Sequence, residues 1–161
     1  MYYCYNCGKK TTLNKSCTNC NTVFWINPRC CAGTLIVSGD NILLVKRARE
    51  PWKNNWDIPG GYCEAHEHPK DCAIRETLEE TGLNIEIIKF HGIWTEPSSD
   101  KGIYGDNICI YYISKPKDSN LKIMDKNEIL EIKWFNIMNL PPNIAFPNHI
   151  PYVLETYLRS L

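Results

Sequence analysis

One stretch, residues 61–83, constrains the fold of this chain more than any other. It places two glycines, four glutamates and one arginine at the fixed spacing G-x5-E-x7-R-E-x2-E-E-x-G. Pro69 suits the first turn of a helix, where its missing N–H costs nothing, and Gly82 suits the position just after the last turn. The spacing therefore predicts a helix over roughly residues 69–81, with His68 as a cap weaker than Ser, Thr or Asp.

The predicted helix carries a crowded acidic face. Glu76, Glu79 and Glu80 fall on one side, since residues three and four apart meet on a helix. Ile74 and Leu78 fall on the opposite side and are expected to pack into a core. Carboxylates this close repel one another unless a cation lies among them, and oxygen ligands suit Mg²⁺ or Mn²⁺. For the glutamates taken alone, a solvated acidic helix face is the alternative.

A turn with paired glycines, Asp-Ile-Pro-Gly-Gly at residues 57–61, precedes the helix and lets the backbone approach a ligand closely. Turn and helix together resemble the signature of the Nudix hydrolases, which use a divalent metal to cut a diphosphate linked to a nucleoside or a similar group. The resemblance implies a set of metal ligands, namely the Gly61 carbonyl and the carboxylates of Glu76, Glu79 and Glu80. It also implies that Arg75 and Glu67 orient or supplement these ligands. Thr77 stands where the family usually has an aliphatic residue, a departure that affects packing rather than catalysis.

The implied reaction is hydrolysis of a phosphoric anhydride, with two or three Mg²⁺ ions that polarise phosphoryl oxygens and lower the pKa of a bound water. Some family members place a further catalytic carboxylate in the loop before the penultimate element, where it takes a proton from water or binds another metal. Glu128 is the candidate for this role, and Glu131 is its competitor. The four histidines are interpreted as surface or capping residues rather than as bases: His66, His68, His91 and His149.

Cysteine spacing predicts a second metal site in the first residues of the chain. Four of the nine cysteines form two Cys-x-x-Cys knuckles separated by a nine-residue spacer: Cys4, Cys7, Cys17 and Cys20. This pattern is typical of a Cys4 zinc ribbon, whose four thiolates leave no position for water or substrate, so the Zn²⁺ is expected to be structural. Redox-active pairs are the alternative. The segment has few aliphatic residues and needs metal binding, which supplies roughly 10–16 kcal/mol in such units.

Length and composition indicate one domain with a small appendage: a zinc ribbon at residues 1–27 and a Nudix hydrolase domain at residues 28–161. Neither a long apolar run nor a charged-then-apolar leader is present, so a cytoplasmic protein without a disulfide framework is expected. Of the five other cysteines, Cys30, Cys31 and Cys109 are interpreted as small core residues. Cys63 and Cys72 lie near the predicted active site.

The rest of the chain alternates strands and loops around the central helix. Apolar runs at 30–38 and 41–47 flank a hairpin signal, and further strands are predicted at 84–94, 103–113 and 129–135. A short helix at about 151–160 closes the chain. This order suits an α+β fold with a mixed β-sheet covered by helices, and it matches the α/β/α sandwich that the family resemblance implies.

The segment after the glutamate-rich helix narrows the choice of substrate. Ribbon-bearing NADH pyrophosphatases carry a Ser-Gln-Pro-Trp-Pro-Phe-Pro motif there, whereas this chain has Phe-His-Gly-Ile-Trp-Thr-Glu-Pro at residues 90–97. Family members that cleave ADP-ribose often carry a proline about fifteen residues past the glycine of the motif. Pro97 lies at that distance from Gly82, and Asp100 with Lys101 extends a similar polar loop. ADP-ribose, or a related dinucleotide or sugar nucleotide, is therefore the expected substrate, cut into two monophosphates.

Other side chains are candidates for substrate contact. Arg47, with its neighbours Lys46 and Arg49, is placed to meet phosphates, although solvated surface is the alternative. Trp94 is a candidate to stack on a base, as are Trp25 and Tyr104, although core packing is the commoner use of such residues.

Two other functions remain open at this stage. One is hydrolysis of oxidised or non-standard nucleoside triphosphates. The other is a binding module in which the ribbon holds nucleic acid or protein and the hydrolase domain is inert. Nucleic acid is disfavoured, because three lysines and a zinc centre of charge −2 leave residues 1–28 at only about +1. A ribbon-mediated homodimer is a further possibility.

Overall fold

The computed structural model describes residues 2–12, 15–23, 27–97 and 106–161. The N-terminal segment forms a two-stranded antiparallel sheet, β1 (Tyr2–Tyr3) and β2 (Lys10–Thr11). Its two knuckles repeat one turn: the Gly8 N–H donates to the Cys4 carbonyl at 2.8 Å, and the Asn21 N–H donates to the Cys17 carbonyl at 2.9 Å. The repeated turn directs both cysteine pairs to the same place.

A seven-stranded mixed sheet forms the body of the protein. Its strands are β3 (Arg29–Ser38), β4 (Asn41–Arg47), β5 (Trp56–Asp57), β6 (Gly60–Tyr62), β7 (Ile85–Glu96), β8 (Asn107–Pro116) and β9 (Ile129–Asn136). β3 lies at the centre, parallel to β8 and antiparallel to β4 and β6. β9 and β5 extend the sheet beside β4, and β7 lies beside β8.

Helices cover both faces of this sheet, which confirms the predicted α/β/α sandwich. Helix α1 (Pro69–Thr81) packs on one face through Cys72 and Ala73, both fully buried. Helix α2 (Ile150–Leu158) packs on the other face through Val153 and Leu154, against a cluster that includes Leu35 and Leu44. The alternation of side chains along each strand supplies apolar residues to both layers.

The buried stripe of α1 differs from the predicted one. Leu78 is 43% exposed, so the prediction that it packs into the core is wrong. Cys72, Ala73 and Thr77 take the buried positions instead, while Ile74 packs at the edge of the core. Thr77 is accommodated because its hydroxyl donates to the Ala73 carbonyl at 2.8 Å within the helix. The helical wheel predicted which side of α1 carries the glutamates, but it did not predict how the helix is oriented against the sheet.

The loop between β7 and β8 is shifted toward the C-terminus relative to the sequence-based prediction. β7 continues to Glu96, beyond the predicted end at 94, and β8 begins at Asn107 rather than at 103. Asp100 and Lys101 of the predicted polar loop lie outside the described residues, as do the stacking candidates Tyr104 and Trp25.

Among the helices in the described part of the chain, none combines the length and apolar character needed to cross a membrane.

Candidate active site

A cavity of about 760 Å³ lies where β6 and α1 meet the central strands, and its volume is in the range of small-molecule sites. Its wall includes Gly60 and Gly61 from β6 and Glu76 and Glu80 from α1. The tight turn and two of the three glutamates of the acidic helix face therefore share one cavity, while Glu79 is exposed and does not line it.

Glu80 is held at the buried end of this acidic face. Its side chain is only slightly exposed, and the Gly60 N–H donates to its Oε2 at 3.0 Å. Burial raises the pKa of Glu80 well above its ordinary value, and the nearby charge of Asp57 adds to the rise. A carboxyl group with this pKa is stabilised in the ionised form when a cation binds beside it.

Arg75 organises the other carboxylates. Its Nε and Nη2 donate to the two oxygens of Glu67, both at 2.8 Å. Its Nη1 donates to Glu76 at 2.8 Å and to Glu79 at 2.9 Å. The hydrogen bonds from Arg75 hold the pKa of Glu67 at about 2. One guanidinium thus reduces the repulsion among three carboxylates and fixes the orientation of Glu76 and Glu79.

Gly61 leaves no room for a side chain beside this set. A Cβ at position 61 would lie 2.6 Å from Glu76 Oε2, so only glycine allows the carboxylate to approach the backbone. The thiol of Cys72, on α1, donates to the Gly61 carbonyl at 3.7 Å. Glutamate and carbonyl oxygens are the ligands of a hard divalent cation, so this donor set fits the Mg²⁺ or Mn²⁺ that the sequence implies. Among the described residues, however, no three of these carboxylates gather within 4.8 Å.

The structure separates the two candidates for the further catalytic carboxylate. Glu128 lines the cavity and is ion-paired with Arg49, which also lines it. Its charge contributes to the raised pKa of both Glu76 and Glu80, which places it near them. Glu131 instead lies 3.7 Å from Lys46 Nζ, and neither residue lines the cavity. Position therefore favours Glu128 over Glu131.

Arg47 lines the cavity but is already engaged with a protein partner. Its Nη1 donates to Asp57 Oδ2 at 2.9 Å, and its guanidinium carbon lies 4.8 Å from the centroid of the Phe146 ring. Burial raises the pKa of Asp57, and the positive charge of Arg47 opposes the rise. Arg47 can contact a substrate phosphate only if it also keeps its hydrogen bond to Asp57 or divides its donors between the two groups.

The two other predicted substrate contacts are placed differently. Pro97 lines the cavity. Trp94 is absent from the cavity wall and packs against the core, with its ring 5.8 Å from that of Tyr111 and 5.3 Å from that of His91. The alternation of side chains along β7 directs Trp94 toward α2, where it packs. The structure therefore does not support the predicted contact between Trp94 and the substrate.

A buried polar network was missed by the sequence reasoning. His149, interpreted as a surface or capping residue, stands at the N-cap position of α2 without a side-chain capping bond, but it is 3% exposed and lines the cavity, so the surface interpretation is wrong. Its Nδ1 lies 2.8 Å from Glu96 Oε2, and its Nε2 lies 2.9 Å from the Tyr111 hydroxyl. These partners are 53 and 38 residues away along the chain, so no local pattern could have linked them. His68 does cap α1, with its Nδ1 accepting from the Lys70 N–H.

The four knuckle cysteines meet in the N-terminal segment. Their Sγ atoms all lie within 4.8 Å of one another, with Cys4 and Cys20 at 3.5 Å and Cys7 and Cys17 at 3.7 Å. A tetrahedral Zn²⁺ with bonds of about 2.3 Å requires sulfur atoms about 3.8 Å apart, so the cluster fits this ion. A hydrogen bond between Cys20 Sγ and the Thr22 hydroxyl lowers the pKa of Cys20 to about 6, whereas burial raises the pKa of Cys4 to about 11.

The other cysteines lie around the active site. Cys109 is buried in the core, as predicted, while Cys30 and Cys31 are only half-buried beside it. Cys63 Sγ lies 3.6 Å from Cys30 Sγ across β3 and β6. Cys72 is fully buried behind Gly61, and this burial raises the pKa of its thiol, so Cys72 is a packing residue.

We expect stabilisation by Mg²⁺ to grow as the pH rises from about 5 to 8. The pKa values of Glu80 and Glu76 in the folded protein lie above the ordinary value of 4.5. Without metal, their protonated forms therefore stabilise the folded protein at low pH, and this stabilisation is lost as the pH rises. Mg²⁺ binds the ionised forms and competes with protons at low pH. At a concentration of 100 Kd the cation adds about 2.7 kcal/mol to the free energy of unfolding.

Differential scanning calorimetry with and without MgCl₂ at each pH measures this effect. The Glu131→Gln protein should behave like the wild type, since Glu131 lies outside the cavity. An increase in Tm that is the same at both ends of the pH range would contradict the assignment of Glu76 and Glu80 as ligands.

Comparison with known proteins supports the same chemistry. The NUDIX domain model matches residues 28–155. An ADP-ribose pyrophosphatase from Methanocaldococcus jannaschii is 30% identical over 135 residues, covering 84% of this chain and 76% of that protein. An NAD-capped RNA hydrolase from Vibrio parahaemolyticus is 26% identical over 149 residues, covering 88% of this chain but only 54% of its own length.

The solved structures agree on the fold. A Nudix hydrolase from Nitrosomonas europaea superposes with a TM-score of 0.80 and 26% identity, covering 99% of this chain and 93% of that one. The match therefore extends over the cysteine-rich segment as well as the sheet and helices. Fold, donor set and sequence match lead to one conclusion, that this chain belongs to the Nudix hydrolase family and is a pyrophosphohydrolase.

Proposed function

We propose that this enzyme hydrolyses ADP-ribose, or a closely related dinucleotide or sugar nucleotide, to AMP and a second monophosphate. The observation that carries the proposal is the position of Pro97, the proline expected in ADP-ribose-cleaving members, on the wall of the cavity that holds Glu76 and Glu80. The relative from M. jannaschii, an ADP-ribose pyrophosphatase, supports it.

The chain's own residues have distinct tasks in this reaction. Glu76, Glu79 and Glu80 would hold the divalent cations together with the Gly61 carbonyl. Arg75 orients Glu76 and Glu79, and Glu67 in turn holds Arg75 in position. A divalent cation bound there supplies charge neutralisation to the diphosphate oxygens and lowers the pKa of a water.

Glu128 is the proposed proton acceptor. It lies on the cavity wall near Glu76 and Glu80, and its pairing with Arg49 ties two loops together at the cavity. A carboxylate in this position takes the proton of the water that attacks one phosphorus in line, while the other phosphate leaves. Positioning and charge neutralisation then supply most of the rate enhancement.

A second candidate substrate is an NAD-capped RNA. The Vibrio relative of that name aligns over 88% of this chain, which is a longer stretch than the NUDIX match at residues 28–155. The alignment therefore extends into the cysteine-rich segment. ADP-ribose and an NAD cap share an adenosine diphosphate, and both give an AMP half after cleavage of the anhydride. The ribbon's charge of about +1 makes it a poor surface for the rest of an RNA.

We expect ADP-ribose to be the fastest substrate in a Mg²⁺-dependent screen, with AMP and ribose 5-phosphate as products, because this substrate requires no RNA-binding surface beyond the cavity. The screen includes NADH, FAD, a diadenosine polyphosphate, NAD-capped RNA and an oxidised nucleoside triphosphate, with products identified by mass spectrometry. Boiled enzyme and EDTA are the controls.

Each alternative has its own product. Faster release of nicotinamide mononucleotide from capped RNA would favour the second candidate, and a nucleoside monophosphate with pyrophosphate would indicate a triphosphate hydrolase. Either result would overturn the ADP-ribose proposal. The absence of cleavage under any metal condition would point to an inert domain and a binding function.

A further inference from the structure

Asn107, the first residue of β8, has a side-chain oxygen that no described residue binds. Its side chain lines the cavity, and its Oδ1 is buried without a hydrogen-bond donor among the described residues. Buried side-chain oxygens are normally hydrogen-bonded, so an exception at a cavity wall points to a donor that arrives with a ligand.

The register of the sheet places Asn107 on the α2 side of the sheet, with Cys109 and Tyr111, and this side lines the same cavity as the glutamates of α1. Asn107 pairs with Arg29 on β3, and the next rung on that face pairs Cys109 with Cys31. Gly33, further along β3, pairs with Gly60, whose N–H holds Glu80. Arg29 and Gly33 are four residues apart, so Asn107 lies roughly 13 Å along β3 from the level at which the Gly60 N–H contacts Glu80. That separation suits a nucleoside whose phosphate lies at the glutamates.

An aromatic ring lies across β3 from Asn107, since Tyr62 on β6 pairs with Cys31 on that strand. Tyr62 lines the cavity and is 47% exposed, and the guanidinium carbon of Arg29 lies 4.6 Å from the centroid of its ring. Exposed aromatic rings in nucleotide sites stack on bases, and a guanidinium against the ring adds a cation–π contact that holds it in place. Tyr62 and Asn107 together offer a stacking surface and a hydrogen-bonding edge.

We infer that Asn107 is a specificity-determining residue that selects an adenine base. Its Oδ1 accepts from the exocyclic amino group, and its Nδ2 donates to an adjacent ring nitrogen, which is the bidentate pairing that a carboxamide makes with adenine. Hypoxanthine carries a carbonyl oxygen in place of the amino group, so two acceptors would face each other. The inference rests on the proposed function, since it assigns the base of the proposed substrate, but it concerns binding and can be tested without turnover.

The test is isothermal titration of AMP and of IMP into the full-length protein with Mg²⁺. We expect the wild type to bind AMP at least about tenfold more tightly than IMP, because a site built to hydrogen-bond an amino group rejects the analogue that lacks it. Asn107→Leu, which keeps the side-chain size, should weaken AMP binding by about tenfold or more and bring the two affinities together. Asn107→Ala is the second variant, and Asn139→Leu, at an exposed position outside the cavity, is the matched control.

The outcomes separate this inference from the proposed function. An AMP preference that is lost in both Asn107 variants and kept in Asn139→Leu supports the inference, whichever substrate is cleaved fastest. Equal affinities for AMP and IMP in the wild type, no binding of either, or a preference that persists in folded Asn107→Leu protein would overturn it, even if ADP-ribose is hydrolysed.

Discussion

The Glu80→Gln enzyme is expected to lose turnover by roughly 10³-fold or more while it keeps its fold. Glu80 is the most buried carboxylate of the acidic helix face, and it is held by the Gly60 N–H at 3.0 Å. The neutral amide preserves the volume and can still contact that N–H, but it removes the negative charge that attracts the cations. The loss should therefore appear in kcat rather than in stability.

Stability should even rise slightly in the absence of metal. Burial makes the ionised Glu80 unfavourable in the folded protein, and the amide removes this unfavourable charge. A calorimetric Tm equal to or above that of the wild type without Mg²⁺, combined with a loss of the increase that Mg²⁺ produces, would identify a ligand rather than a folding residue.

Glu131→Gln is the matched control for this experiment. It removes a carboxylate from the element that follows Glu128, but its side chain lies beside Lys46 and away from the cavity. Wild-type kcat in Glu131→Gln and its loss in Glu80→Gln would assign the effect to the site. Glu79→Gln should also lose activity, since Glu79 belongs to the set that Arg75 positions. Turnover that survives in Glu80→Gln would refute the assignment of this residue as a metal ligand.

Local chemistry explains why helix α1 was predictable. Its observed bounds, Pro69–Thr81, follow from residues that act within one turn of each end. Pro69 needs no hydrogen bond at the start, and Gly82 takes the left-handed conformation that ends the helix, with its N–H donating to the Leu78 carbonyl. The clustering of the four cysteines was predictable for the same reason, because each knuckle is a self-contained turn.

Tertiary contacts between distant parts of the chain were not predictable from the same local patterns. Leu78 lies on the apolar side of a helical wheel but remains exposed, because α1 meets the sheet through smaller side chains such as Ala73. His149 is buried because two distant strands bring Glu96 and Tyr111 to its two ring nitrogens. Such partners meet only after the sheet has formed, so the sequence carries no local signal for them.

The same distinction applies within the active site. The glutamates and Gly61 belong to one continuous stretch, so their spacing alone predicts that they share a site. Asn107 joins that cavity through a parallel pairing of β8 with β3, a contact between residues 78 positions apart in the chain. The glutamates proposed to bind metal were therefore predictable from one segment, whereas Asn107, the residue inferred to select the base, reaches the cavity only through the topology of the sheet.

Removal of zinc is expected to have the largest effect on stability, and the effect should be confined to the N-terminal segment. Among the described residues before position 24, only Cys4 and Cys17 are buried, while Tyr5 is 74% exposed. A segment whose interior is cysteine sulfur has no hydrophobic core, so metal binding must supply its folding free energy, on the order of 10–16 kcal/mol. The Cys17→Ser protein should therefore lose its zinc and the folded state of the ribbon.

Two measurements on the purified full-length protein check this expectation. Elemental analysis should give one zinc per wild-type chain and none for Cys17→Ser. An amide ¹H–¹⁵N spectrum should show residues 2–23 collapsing to random-coil shifts, while residues in β3, β8 and both helices keep their positions. Cys63→Ser is the matched control, because Cys63 is a half-buried cysteine outside the cluster and should leave both the zinc content and the ribbon shifts unchanged.

The set of residues whose amide shifts change also tests the proposed division into a ribbon at residues 1–27 and a hydrolase domain at residues 28–161. The hydrolase domain has its own apolar clusters on both faces of the sheet, so it should remain folded and should keep its Mg²⁺-dependent activity without zinc. Shifts that move throughout the sheet would mean that the two parts fold as one unit. A ribbon that keeps its dispersed shifts after complete zinc removal would contradict the structural role of the metal, because nothing else in its described residues forms a core.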